Sequence, residues 1–254
     1  MSVLSFTVFF ALGAIIASFV GVLVVRINTG QGFISGRSRC DACNEMLKPL
    51  ALIPIISYFI CGGKARCCGA FLSLYAPITE ILLGCLFALS YLKLGITSAL
   101  FFMFLSLAML LAIVLYDLAH QILPSIFLAI FVISSAITGF LLAPSSSTFL
   151  NNLFVAFLIA LSLALIHFLS RGRAMGFADT PFVFGLALLV GPLALSGFIF
   201  SFWIGAIVGI IILARRPSGS RMGVEVPFAP FLAAGFLLAY FTQWNLFLFT
   251  AALY

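Results

Sequence analysis

The feature that most constrains this chain is a series of apolar runs, each interrupted by few or no charges. The first, VLSFTVFFALGAIIASFVGVLVV from Val3 to Val25, contains no charged residue, and others follow at about 74–92, 97–116, 122–142, 150–170, 181–193, 196–214 and 228–248. Roughly 18 to 25 apolar residues in a row cross a hydrocarbon layer of about 30 Å as a helix, because a backbone in lipid must satisfy its hydrogen bonds within its own segment. At 65% hydrophobic and 7% charged, the chain has too little polar surface to coat a water-soluble globule. No strand-like alternation of the barrel type is present. The expected fold is an all-α polytopic membrane protein with about eight transmembrane helices. The first run resembles a secretory signal in hydrophobicity only. It has no basic segment before it and no small-residue cleavage site ahead of Arg26, so it is expected to be kept as a helix.

The block from Phe182 to Ala214 reads either as one long tilted helix or as two. Gly191-Pro192 in its middle is a helix-ending signal, and charge arbitrates. With eight helices, Arg26, Arg37, Arg39, Lys48, Lys64, Arg66, Arg171, Arg173, Arg215, Arg216 and Arg221 share one side and only Lys93 falls opposite. Merging the two helices would send the last three arginines across the membrane. Basic loops mark the cytoplasmic side, so both termini are expected outside and the long Arg26 to Phe71 loop inside. The expected organisation is a first helix over 1–25, a cytoplasmic cysteine-bearing loop over 26–73 and a membrane-embedded domain over 74–254. Topology and anionic headgroups account for the net charge of +6, and no basic-aromatic motif points to a nucleic-acid partner.

Acids are scarce, six in all: Asp41, Glu45, Glu80, Asp117, Asp179 and Glu225. Asp117 ends the third span in LYDLAHQILPS, and Asp179 precedes the sixth in GFADTPF, which puts both at the same edge of the bilayer. A single interfacial aspartate is ordinarily solvated, capping a helix or paired with arginine. Two at one depth and on one side suggest a shared task. Paired carboxyls can share a proton, the ionised member drawing a proton from water while the neutral one polarises a carbonyl, as in aspartic proteases. A proton-coupled transporter would use two such acids as naturally. His120 reads as an interfacial residue or a proton donor, His167 as a polar interhelical contact, Glu80 as an acid needing a partner within its helix, and Glu225 as a solvated loop acid.

The long loop reads SRCDACNEMLKPLALIPIISYFICGGKARCCGA. Cys40 and Cys43 form a C-x-x-C pair, and Cys67 and Cys68 follow at the distance found in zinc ribbons, which suggests a tetrahedral thiolate site for structural zinc. A regular second knuckle would have cysteine at position 65, where this chain has Ala65. The fourth ligand is then Cys67, awkwardly adjacent to Cys68, or Cys61, and reduced thiols with no metal are the alternative. Cys85 reads as packing inside the second span.

These segments resemble the type IV prepilin leader peptidase family, the membrane aspartic peptidases of pilus and type II secretion systems. ASFVGVLVVRI resembles its first-helix exit, while SRCDAC and KARCCGAFLSLYAPITEILLG resemble its cysteine loop and second-helix entry. DLAHQILP resembles the motif around its first catalytic aspartate, MGFADTPFVFGLALLVG occupies the place of its Gly-x-Gly-Asp motif, and VPFAPFLAAG resembles its last-helix signature. The resemblance implies that Asp117 and Asp179 are a catalytic pair cutting after the glycine that ends a short basic leader, with prepilins or pseudopilins as substrates. It implies a bacterial inner membrane location with the active site facing the cytoplasm. It also implies methylation of the new amino terminus from S-adenosylmethionine. The chain departs from the family pattern at Gly21, Ala65, Ala178 and Pro181. An intramembrane-type aspartic peptidase with another substrate would look alike.

Overall fold

The structure, a computed structural model, describes residues 3–27, 40, 42–43, 45–46, 53–173, 175–215 and 226–246. Arg37, Arg39, Asp41, Lys48, Arg216, Arg221 and Glu225 lie outside the described residues. Among the described residues the chain is helical, with one isolated antiparallel bridge between Lys64 and Phe71. It divides into two compact units, Met1–Leu100 and Phe101–Tyr254.

The first unit is built on α1 (Val3–Arg26) and α3 (Tyr75–Leu94), with the short α2 (Ile56–Ile60) between them in sequence. Helices in lipid gain nothing from hiding apolar surface from one another, so association relies on close backbone packing between small residues. Gly13 supplies it: a Cβ there would fall 2.7 Å from the Leu83 carbonyl and 2.8 Å from the Cα of Gly84. Four residues earlier, Phe9 stacks on Tyr91 with ring centroids 4.3 Å apart. The register is antiparallel, which puts Arg26 and Lys93 at opposite ends of the pair. Pro77 sits in the first turn of α3, where its missing N–H costs nothing, and Gly95, with φ 64°, ends the helix by donating to the Tyr91 carbonyl.

α4 (Ser98–His120) leads into the second unit, which continues with α5 (Ser125–Leu142), α6 (Ser146–Leu169), α7 (Asp179–Val190), α8 (Ala194–Ala214) and α9 (Ala229–Thr242). α7 is the core of this unit; Phe182, Val183, Leu186 and Ala187 are fully buried, with α5, α6 and α9 packed around them. Gly185 meets the Phe131 ring, and a Cβ on Gly139 would fall 2.5 Å from the Leu188 carbonyl, so α5 and α7 run in parallel. Gly197 meets Phe236, Gly235 meets Ser201 and Gly205 meets Phe228, so α8 and α9 run antiparallel.

These registers settle the apolar block. Of the six stretches long and apolar enough to cross a membrane among the described residues, the last is the continuous run Asp179–Ala214 of 36 residues. A single 3-10 turn at Gly191–Leu193 breaks it, with Gly191 at φ 66° donating to the Ala187 carbonyl, and α8 returns the way α7 came. Counting both halves and the shorter α9, eight helices among the described residues stand where the sequence places eight spans, and the chain is a multi-pass membrane protein. α7 has 12 residues and α9 has 14, lengths of about 18 and 21 Å at 1.5 Å per residue. Three buried hydroxyls bond within the bundle: Ser106 donates to the Ser134 hydroxyl at 2.9 Å, and Ser201 and Thr138 each donate to the carbonyl four residues back at 2.8 Å.

Candidate functional site

Asp117 lies in the last turn of α4, which closes where Gln121, at φ 56°, donates its N–H to the Asp117 carbonyl at 2.8 Å. The side chain is 7% exposed. Its Oδ2 accepts the backbone N–H of Ala229, the first residue of α9, at 3.3 Å. The first amides of a helix have no partner inside it and form the positive end of its dipole, so this carboxylate occupies a natural anion position. Pro230 at the second position of α9 fixes where that end falls.

Asp179 is the first residue of α7 and is half-buried. Its N–H bonds the Gly176 carbonyl at 3.4 Å, and the Gly176 N–H faces its carboxylate. A Cβ at Gly176 would lie 3.6 Å from Asp179 Oδ2, an ordinary contact, so the glycine leaves this side of the acid open without being demanded by sterics. Asp117 and Asp179 are close enough for their charges to interact directly. Two acids 62 residues apart in sequence thus converge where α4 ends and where α7 and α9 begin. Two acids whose charges interact favour unequal protonation, one neutral and one ionised.

The other candidates fall elsewhere. His120 is exposed and lies against Tyr116 with its ring tilted at 45°, ring centroids 4.5 Å apart. Glu80, in the first unit, is 6% exposed and accepts the N–H of Ile55 at 2.7 Å; Ile55 is a non-glycine residue held at φ 62°. His167 is not an interhelical contact, because its Nδ1 lies 2.8 Å from the Met175 carbonyl in the loop leading to Asp179. Sequence reasoning missed Ala229, whose contribution is a backbone amide; the available signal was Pro230 marking a helix start.

The cysteines of the first unit gather closely. The sulfurs of Cys40, Cys43, Cys67 and Cys68 all lie within 4.8 Å of one another, with Cys40–Cys68 at 3.8 Å, Cys43–Cys67 at 3.3 Å and Cys67–Cys68 at 3.9 Å. Four ligands at about 2.3 Å from a tetrahedral zinc stand about 3.8 Å apart, so the set fits that ion. Adjacency does not keep Cys67 and Cys68 from sharing the cluster. The Ala65–Ala70 turn, closed by Ala65 N–H to the Ala70 carbonyl and Gly69 N–H to the Ala65 carbonyl, both at 2.8 Å, doubles back through Gly69 at φ 70°. Cys61 stays outside the group. Backbone N–H groups of Cys43 and Ala42 lower the Cys40 thiol to about 7, while the side chains of Cys43 and Cys40 push Cys67 up to about 12. A bound dication would favour the thiolate form of all four.

Residues 11–94 match the family described as the Bacterial Peptidase A24 N-terminal domain. Over 241 residues, 92% of this chain and 93% of the relative, the sequence is 32% identical to a prepilin leader peptidase/N-methyltransferase of Bacillus subtilis. A protein of the same name from Myxococcus xanthus is 31% identical over 85% of this chain and 66% of its own length. The type 4 prepilin-like proteins leader peptide-processing enzyme of Escherichia coli is 29% identical over 82% of this chain and 76% of its own. No solved structure matches. The similarity to the Bacillus relative is long enough to run through both units; the chain belongs to the prepilin leader peptidase/N-methyltransferase family.

Proposed function

We propose that this protein is a membrane aspartic endopeptidase that removes the short basic leader of type IV prepilins or pseudopilins. The cut falls at the cytoplasmic face of the bacterial inner membrane, and Asp117 and Asp179 are its catalytic pair. The observation that carries this reading is the convergence of the two carboxyls at the starts of α7 and α9, in a chain so similar to a leader peptidase along nearly its whole length. The peptidase activity belongs to residues 74–254 and the cysteine loop to 26–73.

The reaction needs no covalent intermediate. The ionised carboxyl takes a proton from a water molecule, whose oxygen attacks the scissile carbonyl; the neutral carboxyl gives its proton to that carbonyl oxygen. The tetrahedral adduct collapses as a proton passes to the leaving amine, which becomes the new amino terminus. Ala229 N–H holds Asp117 in orientation throughout. Cys40, Cys43, Cys67 and Cys68 would hold a structural zinc, whose charge would balance their thiolates and tie the two ends of the loop together. The relatives' name carries a second activity, methylation, for which S-adenosylmethionine would be the donor and the freed amine the acceptor.

The test is leader removal from a prepilin by purified protein in vesicles. Asp117→Asn and Asp179→Asn are each expected to abolish it while the protein stays folded; full cleavage by either variant rejects the paired mechanism. Mass spectrometry of the mature product with S-adenosylmethionine present reads the methyl group in the same experiment, and an unmodified terminus restricts the enzyme to cutting.

A further inference from the structure

We propose that His167 is a positioning residue for Asp179, acting through the Met175–Gly176 peptide group; the inference rests on the reading of Asp179 as a catalytic acid. His167 stands in the last turn of α6, and its Nδ1 lies 2.8 Å from the carbonyl oxygen of Met175. A carbonyl oxygen only accepts, so Nδ1 carries the proton. The loop that follows folds back over the ring. Gly172, at φ 75°, donates its N–H to the His167 carbonyl at 2.9 Å, and a Cβ on Gly172 would fall 3.3 Å from His167 Cε1. Phe168 and Phe177 meet the imidazole edge-on, with ring centroids 5.5 and 5.6 Å away. These contacts leave the ring little freedom, so the direction of its N–H is set.

The peptide group makes the connection. The Met175 carbonyl and the Gly176 N–H are opposite ends of one planar unit, so whatever fixes the oxygen also fixes where the N–H points. Gly176 stands against Asp179: a Cβ built on it would lie 3.6 Å from Asp179 Oδ2, its carbonyl accepts the Asp179 N–H at 3.4 Å, and its own N–H lies toward the carboxylate. Donation into the Met175 carbonyl also polarises the amide and strengthens its N–H as a donor. Glycine at 176 has no side chain to hold the peptide plane, so the histidine takes that task. Sequence reasoning cannot find the link, since a histidine eight residues before a loop carbonyl follows no helical or strand spacing.

The experiment compares three variants in the prepilin-cleavage assay, with Asp179→Asn alongside. His167→Asn keeps an N–H close to the place of Nδ1 and is expected to retain kcat within about threefold. His167→Asp has the same shape without the donor, and His167→Phe keeps the ring without it; both are expected to lower kcat about tenfold or more with KM nearly unchanged. If His167→Phe does not accumulate as folded protein, the Asn and Asp pair decides. Wild-type kcat in His167→Asp, equal losses in the Asn and Asp variants, or a loss confined to KM overturns the inference. If Asp179→Asn still cleaves, the reading beneath it fails instead. If Asp179→Asn is dead and His167→Asp fully active, the inference alone fails.

Discussion

Asp117 and Asp179 could be picked out because charge is scarce: six acids in 254 residues leave few candidates, and a helix edge is a costly place for one. What orients them could not be read from the chain, because the orienting groups are the backbone amides of Ala229 and Gly176, which every residue carries except proline. The same division holds for the cysteines. The C-x-x-C spacing announced a cluster, but the choice between Cys61 and Cys67 depended on a turn through Gly69 that brings adjacent sulfurs together. The geometry therefore makes a discriminating prediction. Wild-type protein is expected to carry about one zinc per chain, Cys67→Ser to lose most of it, and Cys61→Ser to keep it. Metal analysis of the purified, folded proteins checks this, and retention of zinc by Cys67→Ser would count against the four-cysteine site.

At the level of the helices, the breaks were legible and the faces were not. Gly191-Pro192 forecast the reversal between α7 and α8, and Pro77, Pro181 and Pro230 each stand in the first turn of the helix they open. Ends were harder to place: the last span was read to 248, whereas α9 stops at Thr242 because Gln243 adopts a left-handed cap. Packing faces were illegible because these helices are apolar all round, so hydrophobic periodicity carries no information about neighbours. The informative residues are the small ones at crossings. Gly235 packs against the backbone and hydroxyl of Ser201 so closely that a Cβ has no room. Gly235→Ala is expected to push α8 and α9 apart and destabilise the protein by about 1–3 kcal/mol. Thermal unfolding in detergent reads this as a lowered midpoint, and an unchanged midpoint would refute the close crossing. Gly209, with nothing within 4 Å of a built Cβ, is the control position expected to accept alanine.

Across the whole molecule, the two compact units also mark where the comparisons divide: the family match at 11–94 lies within the first, whereas the Bacillus relative aligns through both. The number of helices followed from hydropathy and loop charge together, and neither alone would have sufficed, since hydropathy reads 179–214 as one stretch. One dimension of the bundle has a consequence for the lipid around it. α7 and α9, about 18 and 21 Å long, both begin at the aspartates, while an average hydrocarbon layer is about 30 Å thick. α7 is enclosed by its neighbours, so acyl chains meet α9 on its outer side; there they must compress or tilt, and water has a shorter way in to the acids than a flat sheet would give it. Leader removal in vesicles is accordingly expected to slow several-fold as the acyl chains of the host lipid are lengthened, with folding unaffected; a rate independent of chain length would deny that the dent matters. On this view the enzyme carries its own local thinning of the membrane, and the lipid a cell makes becomes a partner in how fast its pilins mature.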